Sequence, residues 1–140
     1  MLCGLVALLC VQCSKTELMV AMTDVNVRSW SDEATIEHEN KDTSNQYDLD
    51  IVLHINDRFA ANEVELEITM LSPDSLRCTE QVTISVNSQR PDVPTAQAAD
   101  ITLPYRRDTK LSSKGNYIFR IKPLKPIVGV EAAGVHFQAQ

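Results

Sequence analysis

Tyr47-Asp-Leu-Asp-Ile-Val-Leu-His-Ile55 and Glu63-Val-Glu-Leu-Glu-Ile-Thr-Met70 decide the fold class. In the first run Tyr47, Leu49, Ile51, Leu53 and Ile55 form an apolar row, and in the second Val64, Leu66, Ile68 and Met70 do so. Asp48, Asp50, His54, Glu63, Glu65 and Glu67 fill the places between. Successive side chains of an extended chain point to opposite faces, so a period of two marks a strand with one buried and one wet face. A helical stripe would need its apolar residues three and four apart, and no window of the chain shows one convincingly.

Working outward, the same rhythm recurs. Val82, Ile84 and Val86 alternate with Thr83 and Ser85; Ile101, Leu103 and Tyr105 follow; Tyr117, Phe119 and Ile121 alternate with Ile118, Arg120 and Lys122. Shorter strand candidates are Val25–Trp30, Thr35–His38 and Val128–Val130 continuing to Val135–Phe137. Turn chemistry separates them at Asn56-Asp57, Ser72-Pro-Asp-Ser75, Lys114-Gly-Asn116 and Lys122-Pro-Leu-Lys-Pro126. Seven or eight half-buried strands predict an all-β protein, an antiparallel β-sandwich of two sheets packed face to face. The first two runs read as a hairpin across Asn56–Asn62. A register placing Asp50 opposite Thr69 and His54 opposite Glu65 keeps Asp50 away from Glu67. Its outer face is then an acidic ladder with Arg120 and Lys122 as neighbours. Asn87–Ala99, rich in proline and small residues, reads as a long exposed loop.

The N-terminus obeys a different rule. Met1-Leu-Cys-Gly-Leu-Val-Ala-Leu-Leu-Cys-Val-Gln-Cys13 holds no charge and stops abruptly at Ser14-Lys-Thr-Glu17. It is too short to cross a bilayer core, which takes about 20 residues, but it has the length of a signal-peptide apolar region. No basic residue precedes it. Cys13 closes the run where a bacterial lipoprotein signal places its acylated cysteine; Gln12 stands where a small residue is usual, and Cys10 is a weaker alternative. Residues 1–13 are thus read as a lipoprotein-type signal, 14–23 as a tether and 24–140 as a single sandwich domain. An ordinary secretory signal and a buried N-terminal strand are the alternatives. The expected location is the cell envelope, with a membrane partner through the lipid on Cys13.

Composition excludes several classes of function. The chain has 140 residues and a net charge of −6, which suits neither nucleic-acid phosphates nor a second domain. With four glycines and no Gly-rich phosphate loop, nucleotide binding has no sequence support. HExxH, CxxC, GxSxG and an EF-hand loop are all absent. His38, His54 and His136 stand alone on separate strand candidates, and Asp48, Asp50 and His54 read as a solvated strand face rather than a cation site. Cys78 reads as an idle or buried thiol in a loop or edge. No catalytic residue, metal, cofactor or small-molecule substrate is expected.

Charge is unevenly placed. Residues 24–50 carry eight acids against Arg28 and Lys41. Residues 105–125 carry Arg106, Arg107, Lys110, Lys114, Arg120, Lys122 and Lys125 against Asp108 alone. Two readings stand: the segments face each other and keep the domain soluble, or one docks a partner. With Arg120 and Lys122 matched by the acidic ladder, Tyr105, Arg106, Arg107, Lys110 and Lys114 form a candidate partner-binding loop for an acidic protein surface or anionic headgroups.

Leu103-Pro-Tyr-Arg-Arg107, Gly115-Asn-Tyr-Ile-Phe-Arg-Ile121 and Ile127-Val-Gly-Val-Glu-Ala-Ala-Gly-Val-His-Phe137 resemble the closing motifs of the gliding-motility lipoprotein family GldH of Bacteroidetes. Cys13, Trp30 and the Tyr47–Ile55 strand precede them in the family's order. Lys122–Pro126 and the 87–99 segment are where the sequence departs from its pattern. The resemblance implies a non-enzymatic, lipid-anchored envelope protein, an accessory or assembly component. The alternative is a membrane-anchored carbohydrate- or peptide-binding β-sandwich module, for which an aromatic platform would be the sign.

Overall fold

The computed structural model describes residues 18–86 and 99–140. They form eight strands: β1 (Leu18–Asp24), β2 (Ala34–Asn40), β3 (Gln46–Ile55), β4 (Glu63–Leu71), β5 (Arg77–Ser85), β6 (Ala99–Lys110), β7 (Gly115–Pro123) and β8 (Val130–Ala139). One sheet has the order β1-β8-β3-β6 and the other β2-β7-β4-β5, with every neighbouring pair antiparallel. The expected all-β sandwich is what the chain adopts. The signal-like residues 1–13, the first part of the tether and most of the 87–99 segment lie outside the described residues.

The period-two rows meet between the sheets. Ile51 lies between Val135 and Leu103, and Leu53 between Ala133 and Ile101. In the opposite sheet Phe119 lies between Ile36 and Met70, and Ile68 beside Ile121. Leu49, Ile51, Leu53, Leu66, Ile68, Leu103, Phe119 and Ile121 are all fully buried. Each such aliphatic side chain contributes about 1.5–3 kcal/mol on leaving water. Trp30 closes one end of this core. Its backbone bridges Ile127 in both directions, and its indole N–H donates to the Asp32 carbonyl at 2.7 Å. An indole is buried cheaply only when its N–H finds such a partner.

Four sequence expectations are corrected here. The two runs that define the class are not a hairpin, because β3 and β4 sit in different sheets. Two apolar rows can share one core as neighbours in a sheet or as opposed faces of two sheets, and alternation is the same for both. The connection crosses between the sheets instead: the Asn56 N–H donates to the Gly129 carbonyl and Phe59 plugs the gap, 7% exposed. The acidic ladder is therefore split, with Asp48 and Asp50 on one outer face and Glu63, Glu65 and Glu67 on the other. Lys122 does stand opposite Glu67, and Arg120 opposite Thr69.

The segment read as a tether contains β1, paired with β8 from Leu18↔Gln138 to Asp24↔Ala132. Leu18-Met-Val-Ala-Met22 is uniformly apolar rather than alternating, so the period-two test passes over it. Third, β6 runs on to Lys110, which shortens the expected loop to the four residues before Gly115. Val25–Trp30, by contrast, contributes only the single bridge at Trp30.

Candidate functional site

The extension of β6 changes the character of the basic segment. Across β3 and β6, Asp50 faces Pro104 while Leu49 faces Arg106, so Tyr105 is an extra residue in the ladder. A second irregularity lies between Tyr47 and Leu49, where Asp108 takes φ 51° and its N–H donates to Asp48 at 3.1 Å. Such bulges re-aim the side chains beside them. Here they send both Tyr105 and Arg106 across the seam between the sheets to Glu80 of β5. One Glu80 oxygen accepts from the Tyr105 hydroxyl at 2.5 Å, from Arg106 Nε at 3.0 Å and from an Arg106 terminal nitrogen at 2.5 Å. The Tyr105 and Arg106 hydrogen bonds hold the Glu80 carboxyl below its ordinary range. Burial, then the Glu80 contact, pushes the Tyr105 phenol up to about 12.

Arg107 turns the other way. It donates to Asp50 Oδ1 at 2.8 Å on the outer face of the first sheet, where His136 Nδ1 lies 3.3 Å from Oδ2. Asp50 is 7% exposed, and a carboxylate taken that far from water requires such partners. The candidate partner-binding loop is therefore corrected in two respects: Tyr105, Arg106, Arg107 and Lys110 lie on strand β6 rather than in a loop, and Arg106 and Arg107 are matched inside the molecule by Glu80 and Asp50. Lys110 and Lys114 differ. Both are exposed, and neither forms an ion pair within 4 Å among the described residues. His54 sits between Asp100, at 2.5 Å, and Glu131, at 3.5 Å. Asp48, Asp50 and His54 thus go to separate partners, and no group of three metal-ligating side chains gathers among the described residues. Cys78 is exposed on the edge strand β5, not buried.

The two lateral seams of the sandwich are unlike. The β5–β6 seam is tied by Glu80, whereas the β1–β2 seam opens into a cleft of about 660 Å³. Val20 and Ala21 form its β1 wall; His38, Tyr47 and Phe137 line it from within; Glu37, Glu39, Lys41, Asp42 and Asn45 are at its mouth. Strand alternation dictates this arrangement. Ile36, His38 and Asn40 point inward from β2 while Glu37 and Glu39 point out. His38 stacks on Phe137 with centroids 4.0 Å apart and planes at 16°, and Tyr47 stands edge-on to both rings.

His38 is 5% exposed, and its Nε2 is buried with no hydrogen-bond partner among the described residues. Burial lowers its pKa, with Glu39 pulling the other way, so the ring is neutral at pH 7. Two residues on, the Asn40 amide nitrogen donates to the Leu111 and Ser113 carbonyls at 3.0 and 2.9 Å, yet its Oδ1 is likewise buried and unpartnered. Buried polar atoms are nearly always satisfied, so two on one inward row require an explanation. The mouth is rigid on one side: Asp42 accepts from the Ser44 N–H and hydroxyl at 2.8 and 2.6 Å and from Asn45 at 3.3 Å. These hydrogen bonds lower the Asp42 pKa. In the sequence His38 was one solitary histidine of three; its inward position among Glu37 and Glu39 was readable, but its place at an open seam was not. A smaller cleft of about 400 Å³ lies at the Trp30 end, between Arg58, Glu63, Glu65 and Lys125–Val128.

The fold defines the class, an antiparallel two-sheet β-sandwich. Among solved structures the chain is similar to CBM28, a non-crystalline-cellulose-specific carbohydrate-binding module, at 9% identity and a TM-score of 0.46. The match covers 85% of this chain and 73% of that one. No protein-family model matches the sequence, and neither does any curated protein.

Proposed function

We propose that the protein is a non-enzymatic, lipid-anchored component of a bacterial envelope, of the accessory or assembly kind that the GldH resemblance implies. The observation that carries this reading is the charge-free run ending at Cys13, with only four residues between it and the start of β1 at Leu18. Five residue steps of extended chain span at most roughly 17 Å. An acyl chain on Cys13 would hold the Leu18 end of the sandwich close to the membrane. That end also carries Lys41, Lys110 and Lys114, all exposed, whose charge suits anionic headgroups. The Trp30 end, with the smaller cleft, would face away and be open to envelope partners.

The test is Cys13→Ala in the native host. Release from membranes and loss of labelling by a fatty-acid analogue are expected; unchanged labelling would overturn the assignment to Cys13. A second reading, the membrane-anchored carbohydrate- or peptide-binding module, is favoured by the β1–β2 cleft of about 660 Å³.

A further inference from the structure

Resting on the anchor proposed above, we infer that the turn Ser72-Pro-Asp-Ser-Leu76 between β4 and β5 is a second membrane contact, with Leu76 as its inserting side chain. Leu76 is 68% exposed, the most exposed of the large hydrophobic side chains among the described residues. A lone surface leucine is ordinary; its mounting and its place are not. The Ser72 N–H donates to the Leu76 carbonyl at 2.9 Å, and the Ser75 N–H to the Ser72 carbonyl at 3.0 Å. The Leu76 N–H donates to Ser72 Oγ at 3.1 Å, and Ser75 takes φ 67°. Pro73 is seated on the start of β7, where a Cβ on Gly115 would stand 3.0 Å from its ring. The turn therefore holds Leu76 out in water instead of letting it fold back on the sheet.

Its place follows from register. Gly115 pairs with Asn40, whose amide holds the 111–113 carbonyls next to Lys110. Lys110 pairs with Gln46 at the start of β3, and two residues on Asp48 pairs with Gln138, which pairs in turn with Leu18. The 72–76 turn thus lies at the end of the sandwich where the chain from Cys13 enters. It is also on the far side laterally, since β1 is one edge of its sheet while β5 is tied to β6, the other edge. Three strand spacings separate those edges, roughly 14 Å. A lipid on Cys13 fixes one corner and leaves the body free to pivot; Leu76 supplies a second corner. One leucine would not hold a protein on a bilayer alone, but the tether makes its insertion an intramolecular step at high effective concentration. Arg77, Lys110 and Lys114 are exposed at the same end, and such side chains lay apolar stems in the interface with their charged heads in water. Asp42, Asp74 and Asp108 offset those charges, so the apolar tip beside the tether is what selects a bilayer.

The experiment is fluorescence quenching of the protein purified from membranes and reconstituted in vesicles of phosphatidylethanolamine and phosphatidylglycerol that contain phosphatidylcholine brominated on its acyl chains. Leu76→Trp is compared with Leu124→Trp, 43% exposed at the Trp30 end, against the background of the buried Trp30. The tryptophan at 76 should shift to the blue and lose emission to the bromines, and the one at 124 should do neither. Both are surface changes, and the thermal melts should match the parent's. The same pair in Cys13→Ala, with a histidine tag inserted before Ser14 and nickel-chelating lipid in the vesicles, repeats the measurement on a tether that needs no acyl chain. Quenching at 76 in that form, with no fatty acid on the native Cys13, would remove the anchor and leave the turn as a membrane contact. Equal quenching at 76 and 124, or none at 76 on either tether, would overturn the inference, while fatty-acid labelling reports the anchor separately. A blue shift at 76 without loss to the bromines would mean that a second copy covers the turn, and would overturn it too.

Discussion

At the residue scale the account turns on two side chains whose environments pull in opposite directions. Tyr105 is well served: its hydroxyl donates to Glu80, and its pKa is raised from 10.0 to about 12 by burial and that contact. A group whose folded pKa lies above its unfolded one loses stabilisation as pH rises between the two values. Stability should therefore fall as pH climbs from 10 towards 12, and Tyr105→Phe should fall less over that interval, as thermal melts in alkaline buffer would show. Glu80 has the opposite sign. Its lowered pKa stabilises the fold above the ordinary glutamate range, and that contribution goes as pH drops through the folded value. Glu80 and Arg106 are each about a third exposed, 35% and 36%, so solvent screens the pair, and Glu80→Gln should cost on the order of 1 kcal/mol. His38 is poorly served. Replacing a buried, unpartnered polar group by an apolar one of similar size is close to neutral or stabilising. His38→Leu should leave the chemical-denaturation midpoint close to its original value, the lost stacking on Phe137 offsetting the removal of the bare nitrogen; a loss well beyond the roughly 1.5 kcal/mol of an aromatic pair would mean that Nε2 has a structural partner.

At the element scale, what decides the architecture is which edges are closed. Gly134 of β8 shows how tightly β1 is laid on its neighbour: a Cβ there would stand 2.3 Å from the Ala21 carbonyl oxygen and 2.5 Å from Met22 Cγ. Gly134→Ala should cost roughly 1–3 kcal/mol, as overpacking does, and should raise hydrogen exchange in β1 before any other strand. Exchange unchanged in β1 would show that the strand accommodates the methyl group. The elements also mark what was legible in advance. Alternation in β3, β4 and β7 disclosed strands and the inward row of each, because one wet face and one dry face leave a period-two trace. It could not say that β3 and β4 belong to opposite sheets, since a buried row looks the same from either side. It missed β1, whose apolar run has no polar partner row, and it ended β6 too early, because the bulge at Tyr105 breaks the rhythm where the strand continues. The basic segment was legible as charge but not as pairing, since Glu80 and Asp50 lie far away in sequence. The cleft was least visible of all, because it depends on how the edge strands of two different sheets lie against each other, which alternation along one strand does not encode.

At the scale of the whole molecule, one core joins both sheets, from Trp30 at one end to the Asn40 amide holding the 111–114 loop at the other. A chain of this size buries enough surface to fold without disulfide or metal. Circular dichroism should be β-dominated in the absence of reductant and metal. Trp30, the sole tryptophan and 1% exposed, should emit at short wavelength and shift to the red in the same transition; separate transitions by the two probes would contradict a single cooperative core. The proposed lipid anchor at Cys13 is the claim on which the functional account depends most. Intact-mass spectrometry of the native protein extracted from membranes tests it most directly. The account predicts a chain that begins at Cys13 and carries the added mass of a diacylglyceryl group, with or without a third acyl chain. A chain that retains residues before Cys13, or begins beyond it and bears no lipid, would contradict it.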